Sequence, residues 1–173
     1  GTSDSFSDGD YVNNPSWIVQ SGSGFSAAGF ELSHTSGSPG SQIIMTDFNP
    51  DFNAESWIFK FRIKTTELEY YNGTAFALGD QQITAFNLGW QSNGTNAGKF
   101  LLQRPDGTII LASTHQFTST NTFYSVELKK DGYLFELKVN GLPEGAVVYS
   151  DDTLISRIAW TANWGLGQSN VIE

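Results

Sequence analysis

The stretch Phe123-Tyr124-Ser125-Val126-Glu127-Leu128-Lys129-Lys130-Asp131-Gly132-Tyr133-Leu134-Phe135-Glu136-Leu137-Lys138-Val139-Asn140-Gly141 alternates apolar and polar residues on both sides of an Asp-Gly pair. A period of two marks a half-buried strand, and Asp131-Gly132 suits the positive φ angles of a tight hairpin loop. With those two residues as the loop, Leu128 faces Phe135, Val126 faces Leu137 and Tyr124 faces Val139. One face is then wholly apolar, as a core-facing hairpin requires. The other face carries Glu127, Lys129, Glu136 and Lys138, with Glu127 directly opposite Glu136. Carboxylates so placed lie about 5 Å apart, the spacing of a retaining glycosidase pair. No aromatic or positioning residue sits between them, so the pair reads as a solvated strand face with diagonal salt bridges.

The same rhythm runs along the chain. Trp57, Phe59, Phe61 and Ile63 share one face, and Ile58, Lys60, Arg62 and Lys64 the other. Further strands are expected around 16–20, 27–33, 41–47, 74–79, 83–91, 98–104, 108–114, 145–150 and 154–161. Asn72-Gly73, Asn93-Gly94, Asp106-Gly107 and Asn140-Gly141 punctuate them, and Ser33–Ser41 reads as a surface loop. No segment shows a 3.6-residue stripe, and richness in Gly, Ser, Thr and Asn disfavours helix. The expected fold is all-β, a two-sheet antiparallel β-sandwich formed as a single domain over residues 4–173, with Gly1-Thr2-Ser3 set apart.

Composition narrows the chemistry. The 173 residues contain no cysteine, which excludes disulfides, thiolate metal sites and a thiol nucleophile. Nine basic against eighteen acidic residues give a formal charge of −9, so a nucleic-acid partner is not expected. Apolar runs are short, Ile109-Ile110-Leu111-Ala112 being typical, and no membrane insertion is expected. No Gly-x-Ser-x-Gly elbow, His-Glu-x-x-His pair or phosphate loop is present.

Two stretches carry a family resemblance. The opening Asp4-Ser5-Phe6-Ser7-Asp8-Gly9-Asp10-Tyr11-Val12-Asn13-Asn14-Pro15-Ser16-Trp17 is similar to the start of bacterial concanavalin A-like (laminin-G-like) jelly-roll domains. The hairpin quoted above resembles their paired strands ending in Val-Asn-Gly. The resemblance implies a jelly roll, a fold that hosts lectins, binding modules, glycosidases, lyases and adhesion domains. Laminarinase-type members carry Glu-x-Asp-x-Glu on one strand, and this chain lacks it; its nearest approach is Glu67-Leu68-Glu69. Alginate-lyase-type members use Arg, Gln, His and Tyr on neighbouring strands; here His115-Gln116 stands in reversed order without the Arg-rich partner strand. His34 and His115 both lie in Ser/Thr-rich contexts and read as solvated loop residues. The chain is therefore expected to be no enzyme. It reads as a carbohydrate-binding, lectin-like module of a larger secreted or cell-surface bacterial protein. A divergent polysaccharide-degrading enzyme and a protein-binding adhesion domain are the alternatives.

The expected partner is a polysaccharide or oligosaccharide, bound by aromatic platforms beside amide side chains. Tyr71, Trp90 and Trp164 are the platform candidates, and Trp17, Trp57 and Trp160 are assigned to the core. A groove is expected where Phe76, Leu78, Phe86, Leu88 and Trp90 face inward. Their strands then turn Ala75, Ala77, Gly79, Ala85 and Gly89 outward, with Asn87 and Gln91 as polar readers and Lys99 and Gln103 on the next strand. If Trp90 faces the core it cannot also be a platform, so those two readings compete. Asp8, Asp10 and Asn13 supply hard oxygens on a turn, as calcium prefers, and structural calcium is common in the resembled fold. The Asp47-x-Asn-x-Asp spacing is a second candidate, without the glycine and glutamate of an EF-hand.

Overall fold

The computed structural model describes residues 4–13, 15–35, 42–49, 55–66, 74–91, 94–162 and 169–172, the last stretch up to 171 as backbone only. In chain order the strands are β1 Trp17–Ser21, β2 Phe25–Ala28, β3 Glu31–Thr35, β4 Ile43–Asp47, β5 Ser56–Thr65, β6 Thr74–Gly79 and β7 Thr84–Trp90. They continue with β8 Phe100–Gln103, β9 Ile109–Ala112, β10 Tyr124–Asp131, β11 Leu134–Val139, β12 Leu142–Val148, β13 Arg157–Thr161 and β14 Ser169–Ile172. They form two seven-stranded sheets: a front sheet in the order β1-β4-β13-β6-β7-β8-β9 and a back sheet in the order β12-β11-β10-β5-β14-β3-β2. All pairings are antiparallel. This is the all-β sandwich expected from the alternation.

The deciding hairpin forms, with a different register. Asp131 pairs with Leu134, so the loop is Gly132-Tyr133 rather than Asp131-Gly132. Gly132 has φ +60° and Tyr133 a negative φ, which fits a turn with glycine at its first central position. Pairing moves by two residues, so each side chain keeps its face while its partner changes: Leu128 meets Leu137 and Val126 meets Val139. On the other face Glu127 now meets Lys138 and Lys129 meets Glu136, and the like-charge pair expected between Glu127 and Glu136 does not exist. Lys60 from β5 adds an ion pair to Glu127 at 3.3 Å. The next turn, Asn140-Gly141, has both residues at positive φ and joins Val139 directly to Leu142.

The expected strand over 27–33 is a second correction. It is broken by a two-residue turn at Gly29-Phe30, where φ is +61° and +68°, into β2 and β3. Phenylalanine rarely takes that conformation, so the break carried no turn signal.

Aromatic rings fill the space between the sheets. Phe61 packs on Phe76 at 4.4 Å, Phe86 on Phe135 at 5.1 Å and Phe100 on Phe117 at 5.6 Å. Trp17, Trp57 and Trp160 are buried as expected. Along one side the sheet edges are joined: Thr114 N and Oγ1 both donate to the Glu144 carbonyl, next to β12 residue Gly145, where an added Cβ would lie 2.9 Å from Leu111.

Candidate functional site: the small-residue face of the front sheet

Facing away from the core, the front sheet carries two parallel rows of side chains. Strand pairing aligns Met45, Ala159, Ala77, Asn87 and Gln103 across β4, β13, β6, β7 and β8. The neighbouring row is Ile43, Thr161, Ala75, Gly89, Leu101 and Ala112. Alternation produces this face: Phe76, Leu78, Phe86, Leu88, Trp160 and Leu102 point into the core, so their neighbours point out. On β13, β6 and β7 those neighbours are Ala159, Thr161, Ala75, Ala77, Asn87 and Gly89, so the sheet surface there is low, and the longer Ile43, Met45, Leu101 and Gln103 flank it. Most of them are half-buried, and together they make a floor of short side chains. An added Cβ at Gly89 would meet the Ala75 Cβ and the Thr74 carbonyl oxygen at 3.6 Å, ordinary van der Waals contact, so the glycine is not there to relieve a clash.

Asn87 stands near the middle of this floor, directly opposite Gln103. Its amide makes no hydrogen bond among the described residues. Gln103 donates Nε2 to the Gly107 carbonyl at 3.3 Å and keeps its Oε1 for another donor. Two adjacent amides offer the paired donors and acceptors that vicinal hydroxyls accept and supply. At one end of the floor Arg157 grips Asp47 with two bonds, at 2.6 and 2.9 Å. The guanidinium holds the Asp47 carboxyl below its ordinary value.

The other expected site residues fare differently. Trp90 is 2% exposed, stacks on Phe100 at 5.4 Å and donates Nε1 to the Phe117 carbonyl. It is a core residue and no sugar platform, because its alternation with Asn87 and Gly89 turns it inward. Gln91 sits half-buried at the end of the same strand, its carbonyl accepting Gly98 N. Tyr71 and Trp164 lie outside the described residues. Sequence reading missed Met45, Ala159 and Thr161, because β13 enters the sheet between β4 and β6 from about eighty residues away in the chain.

Asp8, Asp10 and Asn13 form a turn closed on itself. Asp10 Oδ1 accepts Val12 N at 2.8 Å and Asn13 N at 3.0 Å, and Oδ2 accepts Asn13 Nδ2 at 3.3 Å. Asp8 Oδ1 accepts Asp10 N. The backbone N–H donors of Asn13 and Val12 hold the Asp10 carboxyl below its ordinary value. Calcium needs six to eight converging oxygens. Here N–H groups occupy the carboxylate, and no group of three or more His, Asp or Glu converges among the described residues. The turn as arranged does not fit the ion. In the second candidate, Asp47 is held by Arg157, and Asp51 and Asn53 lie outside the described residues.

Of the two histidines read as solvated loop residues, His34 departs from that reading and His115 keeps to it. His34 lies on β3 with no exposed surface. The His115 ring is exposed but binds the buried Glu144 carboxylate through Nδ1 at 2.9 Å.

No protein-family model matches the sequence, and no curated protein matches it significantly. Solved structures match its fold, which is that of lectin-like jelly rolls. The carbohydrate recognition domain of Emp47p is similar with a TM-score of 0.69 and 14% identity, over 95% of this chain and 90% of that one. The carbohydrate-binding module CBM66 from Bacillus subtilis gives 0.61 and 10%, over 91% of each chain. A sialidase gives 0.66 and 12% over 90% of this chain, which spans only 16% of the sialidase. Enzymes and ion-bound forms share the fold: an alginate lyase from Corynebacterium sp. at 0.58, the Ca2+-bound VIP36 exoplasmic/lumenal domain at 0.63, and potassium-bound Emp46p at 0.63.

Proposed function

We propose that the chain is a non-catalytic carbohydrate-binding module that holds a polysaccharide or oligosaccharide on the small-residue face of its front sheet. The supporting observation is the alanine and glycine floor with the Asn87 amide, unpartnered among the described residues, beside Gln103. A sugar ring lies close to such a floor, burying its C–H face on Ala75, Ala77 and Ala159 while its hydroxyls bond the amides. Gln91 at the strand end extends the polar edge. Carbohydrate recognition domains and CBM66 among the similar folds favour the same ligand class. The module belongs, on this reading, to a larger secreted or cell-surface protein.

Retention on polysaccharide affinity gels tests the reading. The parent chain is expected to be retarded by at least one glycan without releasing reducing ends or unsaturated products. Asn87→Ala is expected to weaken retention about tenfold, the value of one or two lost hydrogen bonds. Gly89→Ala raises the floor at a position where an added Cβ meets only ordinary contacts, and is expected to weaken retention with little change in melting temperature. Product release would instead support the enzyme reading. Capture of a protein partner with no glycan retained would support adhesion.

A further inference from the structure

The basic residues of this acidic chain are gathered on one surface. Five of the nine, Lys60, Arg62 and Lys64 of β5, Lys129 of β10 and Lys138 of β11, lie on the outer face of the back sheet. Strand alternation puts them there, because Phe61, Ile63, Val126, Leu128 and Leu137 take the core face. The same face of these three strands carries the acids Glu127, Asp131 and Glu136, so it is positive in a chain of formal charge −9.

The charge surrounds a hollow of about 380 Å³ lined by Lys60, Arg62, Ser125, Glu127, Lys138 and Gly141. Register explains the grouping: Glu127 pairs with Lys60 on one side and Lys138 on the other, and Ser125 pairs with Arg62. Lys60 Nζ reaches the Glu127 carboxylate at 3.3 Å. Lys138 has no ion pair among the described residues, and the Ser125 hydroxyl no hydrogen bond. Ser125 itself is fixed, its N–H donating to Asn140 Oδ1 at 2.9 Å and its carbonyl accepting Asn140 N at 2.7 Å. The Arg62 guanidinium is held over the Phe123 ring at 4.5 Å, with Lys64 Nζ over the same ring at 4.6 Å.

Held cations and an idle O–H donor around one hollow call for an oxyanion, whose several acceptor oxygens bond them together. We propose that this face binds an acidic glycan, with one sulfate or carboxylate group of it seated among Arg62, Lys138 and Ser125. The volume falls within the about 300–1,000 Å³ of ligand sites, enough for a sugar unit as well as its anion. A nucleic acid carries a phosphate on every unit and would meet Glu127 and the acidic remainder of the molecule, so spaced anions fit better. Across the hollow β10 is paired on both sides, which leaves an extended peptide no backbone to bond. A glycan needs none, since side chains read its groups. The site lies on the sheet opposite the small-residue floor and does not rest on the reading of that floor.

Affinity electrophoresis through gels holding dextran sulfate or polygalacturonate tests this, at about 50 mM salt where exposed charges are weakly screened. At least one of the two polymers is expected to retard the parent chain, and excess uncharged dextran not to release it. The sulfate and carboxylate arms tell which oxyanion is taken. Lys138→Gln is expected to weaken binding about tenfold and Ser125→Ala, which leaves the charge unchanged, about threefold. Glu127→Gln removes the acid from the hollow and is expected to tighten binding several-fold. Arg104→Gln removes a positive charge elsewhere and is expected to change nothing. Thermal melts check that each variant stays folded. Retardation by neither polymer overturns the proposal. So does an equal loss from Arg104→Gln, which would make overall charge the cause. Binding that survives both Lys138→Gln and Ser125→Ala would seat the ligand elsewhere, the floor included, and overturns it too. Polyglutamate or single-stranded DNA binding as tightly as the acidic polymers overturns the choice of a glycan.

Discussion

His34 shows how a single side chain inherits chemistry from its place in the fold. Its Nε2 lies 2.9 Å from the Ser23 carbonyl, so Nε2 carries the proton and donates it. Nδ1 is buried with no partner among the described residues, and Phe25 packs on the ring at 4.8 Å. A second proton at Nδ1 would add a buried charge, and burial accordingly pushes the imidazole below its ordinary value of 6.5. The folded protein therefore keeps the ring neutral while the unfolded chain takes up a proton first. Stability from His34 is complete above pH 6.5 and is lost as pH falls below that value toward the depressed folded one. Thermal melts from pH 7.5 to 5.0 are expected to show Tm falling by several degrees. His34→Gln keeps a donor for Ser23 and is expected to flatten that slope; an unchanged slope would place the titration elsewhere. The Ser/Thr-rich surroundings of His34 suggest a loop, whereas pairing with Phe25 and Asn170 in neighbouring strands buries it. Trp90 is the converse: its strand parity with Leu88 and Phe86 was enough to place it inside, and the amide-rich residues after it pointed the wrong way.

At the scale of elements, the turn decides how a legible pattern is assembled. Gly132 has φ +60°, and a Cβ there would meet nothing within 4 Å, so substitution tests the backbone alone. Gly132→Ala is expected to cost about 1 kcal/mol, and Gly132→Asn less, because asparagine tolerates the left-handed region. Urea unfolding of the two variants checks this, and an alanine variant as stable as the parent would remove the loop as a determinant. Face assignment in β10 and β11 was readable because period two survives a shift of two residues. Register was not, since Asp-Gly serves equally as the loop itself or as a strand end followed by a glycine. That distinction removed the Glu127–Glu136 carboxylate pair that the expected register had set opposite each other. The groove divides in the same way. Ala75, Ala77, Asn87, Gly89 and Gln103 were legible because β6, β7 and β8 are consecutive neighbours. The contribution of β4 and β13 depends on a crossover that local pattern does not encode.

For the whole molecule, the question is what keeps two sheets together without a disulfide, since the chain has no cysteine. Aromatic packing supplies the bulk, and one edge is fastened by Glu144. Its carboxylate accepts the His115 backbone N–H at 3.0 Å and His115 Nδ1 at 2.9 Å, while its carbonyl accepts Thr114 N and Oγ1. Glu144 is 4% exposed, so its carboxylate is the shielded partner of the exposed His115 ring, and the bonds link the end of β9 to β12. Some thirty residues separate the partners, and neither Pro143-Glu144-Gly145 nor Thr114-His115-Gln116 signals the contact alone. Glu144→Ala leaves the partly buried His115 N–H without its acceptor and is expected to cost about 1 kcal/mol. Glu144→Gln retains one oxygen and is expected to cost roughly half as much. Denaturant unfolding gives both values, and amide exchange at His115 reports the seam directly, accelerating in the alanine variant before the core strands respond. If carboxamide and alanine cost the same, the charge on the carboxylate holds the sheet edges; if the carboxamide is milder, the hydrogen-bond acceptor holds them.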